Sequence, residues 1–126
     1  MKILVTGGAG FIGANLVTRL HSEGHALRVL DTLSPQIHGV DPEQSPLRRQ
    51  IEGKCEFIHG DVCDRTALDV AIADCDAVVH LAGAGVGDKR WSPEYRQVIR
   101  DSRVAGTNAI AHGCDSSRTI AVTLMR

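Results

Sequence analysis

The feature that most restricts this chain is a strand-to-helix turn built almost without side chains: Lys2-Ile3-Leu4-Val5-Thr6-Gly7-Gly8-Ala9-Gly10-Phe11-Ile12-Gly13. Ile3, Leu4 and Val5 form a short apolar run with two β-branched residues, the composition of a parallel strand buried on both faces. Glycines follow at 7, 8, 10 and 13, and Ala14 to Leu20 then reads as a helix. A turn without β-carbons lets a ligand reach the backbone, and the helix N-terminus beyond it offers N–H groups and a partial positive charge. Gly13 lets that helix lie close against the strand. Gly8, Gly10 and Gly13 satisfy G-x-G-x-x-G, while Gly7, Gly10 and Gly13 satisfy G-x-x-G-x-x-G, so spacing leaves the first glycine open.

A second apolar strand, Ala26 to Leu30, ends on Asp31, which lies 18 residues past Gly13. An acid at that distance can hydrogen-bond the ribose hydroxyls of a dinucleotide whose pyrophosphate rests on the glycine turn. No arginine follows Asp31 directly, and its carboxylate would repel a ribose 2′-phosphate and occupy its space. The residues therefore predict NAD in preference to NADP.

Strand and helix signals alternate along the rest of the chain. The first helix places Ile12, Leu16 and Leu20 four apart on one face, with Gly24 as its stop. Residues 32–50, with Pro35, Pro42 and Pro46, read as a polar loop holding a short helical piece near Leu47 to Ile51. A third strand, Cys55 to His59, leads into Gly60-Asp61-Val62. Asp64 reads as the N-cap of a helix running to about Ala73, with Leu68, Ala71 and Ile72 inward. Ala77 to Ala82 is the most apolar strand and is expected to be central; Gly83-Ala84-Gly85-Val86-Gly87 breaks it. Ser92, Pro93 and Glu94 open a helix that is expected to run to about His112 and stop at Gly113. Thr119 to Leu124 is the fifth strand. The expected fold is α/β, a Rossmann-type doubly wound parallel sheet of about five strands in the order 3-2-1-4-5, forming one domain over residues 1–126. Its carboxyl edge would gather Gly7 to Gly13, Asp31, Asp61-Val62 and His80 to Gly83.

Composition excludes several classes. A net charge of -1 without a basic stripe, and 3% aromatic residues, argue against a nucleic-acid surface. No apolar run approaches the roughly 20 residues of a membrane span, and Met1-Lys2 passes into a strand with no signal-peptide pattern, so a cytoplasmic protein is expected. The cysteines at 55, 63, 75 and 114 form no C-x-x-C pair and read as reduced thiols, Cys63 and Cys75 in or near the core. The six histidines form no H-E-x-x-H, so no metal ligand is assigned. His80 reads as a satisfied structural residue closing a buried strand, and Tyr95, Val98 and Ile99 as the buried face of their helix. Asp61 fits either a base contact or loop capping, and Trp91 either a loop anchor or packing at a helix start.

The run Thr6 to Gly13, with Asp31, Gly60-Asp61-Val62 and His80-Leu81-Ala82-Gly83, resembles the extended short-chain dehydrogenase/reductase family, the NAD-dependent epimerases and dehydratases of nucleotide sugars. The resemblance covers residues 1 to about 112. Asp88 to Pro93, with Ile99 to Val104 and Thr107, is similar to a bacterial epimerase-like subgroup. The resemblance implies that Gly7, Gly10 and Gly13 line the pyrophosphate while Phe11 and Ile12 supply backbone N–H contacts. It implies further that Asp31 binds the adenosine ribose, that Asp61 and Val62 touch adenine, and that Leu81, Ala82 and Gly83 pass beneath the ribose and nicotinamide. The parent reaction it implies removes a hydride from a sugar carbon to the nicotinamide and later returns it.

The departures matter as much. The family's Tyr-x-x-x-Lys is absent: the single tyrosine, Tyr95, has Ile99 four residues on, so no catalytic residue is assigned. Thr123 is the nearest candidate for the family's Ser or Thr after its fifth strand, but Leu124-Met125-Arg126 ends the sequence at once. The expectation is a truncated, NAD-binding N-terminal portion that is inactive alone and meets a nucleotide sugar only if a substrate domain is supplied. The rival is a non-catalytic NAD-binding or interaction module whose unpaired sheet edge is covered by a partner chain or by a second copy of itself.

Overall fold

Apolar strands that bury both faces need a layer of helices on each side, and the chain supplies them in alternation. A computed structural model describes residues 1–84, 89–114 and 120–123. Strands β1 (Lys2–Thr6), β2 (Ala26–Asp31), β3 (Glu56–His59), β4 (Ala77–His80) and β5 (Ile120–Thr123) form one sheet in the order β3-β2-β1-β4-β5. Every pairing is parallel, with Val5 opposite both Val29 and Val79, and Thr6 opposite both Leu30 and His80. The expected topology is therefore the observed one. Helices α1 (Phe11–Ser22), α2 (Pro35–His38), α3 (Pro46–Gln50), α4 (Arg65–Ile72) and α5 (Pro93–Cys114) lie between the strands, with a 3-10 turn at Pro42–Gln44.

The period-two alternation of β1 divides the interior into two cores. Ile3 and Val5 point to the α1 side with Val17, Val29 and Ile51, whereas Leu4 points to the α4–α5 side with Leu30, Leu68, Val78 and Ile110. Asp64 caps α4 as expected, its carboxylate accepting from the Thr66 and Ala67 amides, and Leu68, Ala71 and Ile72 are the buried residues of that helix. Ser92 accepts the Tyr95 amide at the start of α5.

Several expectations change. The buried face of α1 is Gly13, Ala14 and Val17, with Leu16 and Leu20 half-buried and Ile12 exposed. The backbone of Gly13 lies against the glycine turn, which aims that side of the helix at the sheet and turns residue 12 outward. Gly24 does end the chain's exit from α1, with a φ of +89°, but Gly113 lies inside α5. A Cβ at 113 would stand 2.6 Å from Ile72 Cδ1, so this glycine, one residue before the last described residue of α5, also lies against α4. Residues 32–50 are more ordered than a polar loop, because each proline opens a turn: Pro35 begins α2, Pro42 the 3-10 turn and Pro46 α3. Cys63 is exposed where Cys75 is buried, and Val98 is exposed while Tyr95 and Ile99 are half-buried, since α5 is fully buried only at Gly106 and Ile110. The ladder of β4 ends at His80, two residues short of the expected strand. Gly85-Val86-Gly87, Asp88, Thr119 and Leu124 lie outside the described residues.

Arg28 is the one charged side chain in the middle of an apolar strand, and it is buried. Its Nη1 donates to the carbonyls of Val70, Ala71 and Ala73 at 3.1, 2.8 and 2.8 Å, and Nε to Glu56 Oε2 at 2.9 Å. Helix α4 carries no basic residue in its last turn. The sheet supplies the cation that its carbonyl end would otherwise lack. Replacing Arg28 by Met should cost about 3 kcal/mol, since the helix-end carbonyls lose a charged donor; urea denaturation of the two chains measures it.

Candidate functional site

The glycine turn is built by contacts of backbone on backbone. Gly7, at φ +69°, donates its N–H to the Leu30 carbonyl at 2.8 Å and accepts the Gly10 N–H at 3.1 Å. A Cβ at 7 would stand 2.8 Å from the Ala82 nitrogen, and one at 8 would stand 2.7 Å from Val29 Cγ2. One at 13 would strike the Gly7 carbonyl oxygen and lie 2.6 Å from Gly8 Cα. The fold thus requires glycine at 7, 8 and 13, and the ambiguity over the first glycine of the motif disappears because both are needed. Gly10 differs. Its φ is -73°, and a Cβ there would meet a single atom, the Gly7 oxygen, at 3.3 Å. A Cβ at 10 would be tight against that one oxygen and would collide with nothing else, and Gly10 lines the cavity beside the turn.

Gly10 is also the N-cap of α1, which has neither a side-chain cap nor an acidic residue in its first turn. The leading N–H groups of a helix lack intrahelical acceptors. Here they stay uncapped beneath exposed Phe11 and Ile12, so the end of α1 is a positive, donor-rich surface.

The cavity beside it has a volume of about 600 Å³. Gly7, Gly10, Asp31, Asp61, Val62, Leu81, Ala82 and Gly83 all line it. Phe11 and Ile12 do not line it and are exposed at the start of α1, and Gly13 is buried against the turn. The structure adds residues that sequence reasoning missed: Gln36 and Ile37 of α2, Cys63, Ala84, Lys89, and Tyr95, Val98 and Ser102 of α5. The proline spacing of residues 35–46 was the available signal for α2. The α5 residues carried a packing signal only.

Asp31 holds the site together. Its Oδ2 accepts the Ala9 N–H at 3.0 Å and its Oδ1 accepts the Leu33 N–H at 2.8 Å, so the carboxylate braces the glycine turn and the bend after β2. Leu33 sits buried at a φ of +53°, a strained position for a branched side chain that these contacts maintain. Asp61 Oδ1 accepts the Cys63 N–H at 2.9 Å, the loop-capping bond, while the residue remains exposed at the cavity wall. Partial desolvation, and then the neighbouring Asp61 carboxylate, hold the Cys63 thiol above its ordinary pKa although the residue is exposed.

His80 lies behind this surface and not on it. It is 2% exposed, its Nδ1 is 2.7 Å from Thr6 Oγ1, and its Nε2 has no hydrogen-bond partner among the described residues. The expectation of a satisfied histidine therefore holds for one ring nitrogen. Gly106 explains the other: a Cβ there would approach Nε2 to 2.8 Å, so α5 passes directly over the imidazole. Burial, and then the charge of Arg103, push the His80 pKa below its ordinary 6.5.

An uncapped helix end, a glycine turn and a carboxylate at the end of β2 belong to a doubly wound α/β domain of Rossmann type. The model of the NAD dependent epimerase/dehydratase family matches residues 3–124, and the chain belongs to that family. A 3 beta-hydroxysteroid dehydrogenase/Delta 5-->4-isomerase of Mycobacterium tuberculosis is 36% identical over 118 residues, covering 88% of this chain and 27% of that protein. A UDP-glucose 4-epimerase of Haemophilus influenzae is 38% identical over 112 residues, covering 85% of this chain and 31% of that protein. The crystal structure of a UDP-glucose-4-epimerase from Stenotrophomonas maltophila with bound NAD and formylated UDP-arabinopyranose aligns with a TM-score of 0.74 at 26% identity. That alignment covers 98% of this chain and 36% of the other. The chain spans about a third of the length of these proteins and matches their N-terminal, NAD-binding part.

Two outcomes are expected. Gly13→Ala should lose about 3 kcal/mol of stability, and Gly10→Ala no more than about 1 kcal/mol; thermal melts distinguish them. Unfolded His80 takes up a proton that the folded chain resists, so stability should fall as pH drops below 6.5. The His80 part of that loss is at most about 1.4 kcal/mol per pH unit. In His80→Gln the slope of unfolding free energy against pH should be shallower by that part.

Proposed function

We propose that this chain binds NAD(H) in the cavity at the carboxyl edge of its sheet, as the cofactor-binding portion of an epimerase/dehydratase-type oxidoreductase. The observation that carries the reading is Gly10, whose missing side chain relieves one tight contact with the Gly7 oxygen and leaves the turn open beside the uncapped end of α1. A pyrophosphate needs that combination of close backbone approach, free N–H donors and positive potential. In this reading Gly7 and Gly10 line the pyrophosphate, the α1 amides from Phe11 to Gly13 donate to it, and Asp31 accepts from the adenosine ribose. Asp61 and Val62 stand at the adenine, and Leu81, Ala82 and Gly83 at the nicotinamide half.

The brace on Asp31 supports NAD over NADP. Each carboxylate oxygen already holds one backbone N–H and keeps a second acceptor direction for a ribose hydroxyl. Held from both sides, the charge has no easy rotation away from a 2′-phosphate. Bound NAD would supply a hydride acceptor; the chain's residues bind and orient it. Turnover is a separate matter, because these 126 residues contain no Tyr-x-x-x-Lys pair to move a substrate proton. We infer that the chain turns nothing over by itself, and that a nucleotide sugar is the substrate class once a substrate-binding portion is present. Among the described residues no helix is long and apolar enough to cross a membrane and no acid–histidine–cysteine group could hold a metal. A cytoplasmic setting belongs to the same proposal.

Calorimetric titration tests it. NAD should bind with a Kd on the order of micromolar and NADP at least about tenfold more weakly. Gly10→Val should abolish binding without unfolding the chain, and Asp31→Asn should weaken NAD about tenfold while narrowing its preference over NADP. Absence of NAD binding by the folded native chain would overturn the reading.

A further inference from the structure

The segment Asp101-Ser102-Arg103-Val104 belongs to the stretch of α5 that set this sequence apart, and the NAD-binding reading leaves it without a task. The structure gives it one. Ser102 Oγ accepts the Ala84 N–H at 3.1 Å, and Arg103 Nη1 donates to the Ala84 carbonyl at 3.0 Å. Two successive side chains of one helix thus hold both polar groups of a single loop residue. Both are themselves tied to the helix by the Ile99 carbonyl, which accepts from Ser102 Oγ at 2.9 Å and from Arg103 Nη1 at 3.2 Å. Gly83 packs on the same arginine: a Cβ there would lie 3.4 Å from Arg103 Cγ and 3.5 Å from Cζ.

The segment they hold begins at the strand edge. The Leu81 N–H donates to Thr6 O at 3.0 Å, and Ala82 touches the place where a Gly7 side chain would be. Leu81 to Ala84 therefore runs from the glycine turn to α5, anchored at both ends, and all four residues line the cavity. Asp31 and Asp61 stand on the β2–β3 side of β1, and this wall stands on the β4 side. A dinucleotide laid across the switch between β1 and β4 places its two halves on opposite sides. With adenosine at Asp31, the wall meets the nicotinamide half.

Resting on the NAD-binding reading, we propose that Ser102 and Arg103 are positioning residues that clamp Ala84 and so fix the Leu81–Ala84 wall against the nicotinamide end of the cofactor. They act through the loop backbone. Their loss should therefore be felt by a ligand that carries the nicotinamide ring and not by one that ends at the second ribose.

The test is titration of NAD and of ADP-ribose into the native chain and into Ser102→Ala, Arg103→Met and Arg103→Lys. Arg103→Met keeps the alkyl stem beside Gly83 and removes the donors. It should weaken NAD about tenfold, the worth of one charge-assisted hydrogen bond, and leave ADP-ribose within about twofold. Arg103→Lys should recover part of the loss. In the unliganded chain, Ser102→Ala should speed hydrogen exchange at the Ala84 amide by about tenfold, because that N–H loses its acceptor. Equal loss of NAD and ADP-ribose, or loss of neither, overturns the inference. A native chain that binds neither ligand overturns the cofactor reading, and this inference falls with it.

Discussion

The backbone contact between Gly13 and the Gly7–Gly8 turn is the constraint on which the rest of the structure depends. It lets α1 start against the sheet, which aims Ala14 and Val17 into one core and places the helix end beside the carboxyl edge of β1. A side chain at 13 would push the helix off the strand, and cavity, helix end and core would be lost together. Three of the four turn glycines thus serve packing, and the fourth serves the space around it. Fold and site share one short segment, and Gly7 belongs to both.

Asp31 shows the same economy in a charged residue. Its carboxylate ends β2, braces Ala9 in the turn and fixes Leu33 in the following bend, before any ligand is considered. Preorganisation of this kind lowers the cost of ordering a site on binding. It also means that loss of the acid acts on the shape of the glycine turn and of the bend after β2.

Much of this was legible because the signals were local. The apolar run Ile3 to Val5, the glycine spacing and the Asp64 cap each depend on a few neighbouring residues, and the strand order followed from strict alternation of strand and helix. What escaped depends on contacts distant in sequence. Arg28 looks like an error in an apolar strand until the carbonyl end of α4 is brought beside it. Gly113 gives no sign in the sequence of the Ile72 side chain that lies against it. Tyr95 and Ser102 join the cavity only because α5 crosses the end of β4, and the Ser102–Arg103 clamp is visible only with Ala84 in place.

The central position of β1 also sets an order of assembly. Its partner β2 begins at residue 26, but its other partner, β4, begins at residue 77, with Ile3 paired to Leu27 on one side and to Ala77 on the other. Loop closure over the longer separation is the slower event, and synthesis delivers the later strand last. A nascent chain can join β1, α1 and β2, with the glycine turn and Asp31 in place, before His80 and Leu81 exist to meet Thr6. The Asp31 side of the cavity is therefore built first, and the opposite wall is fitted to it afterwards.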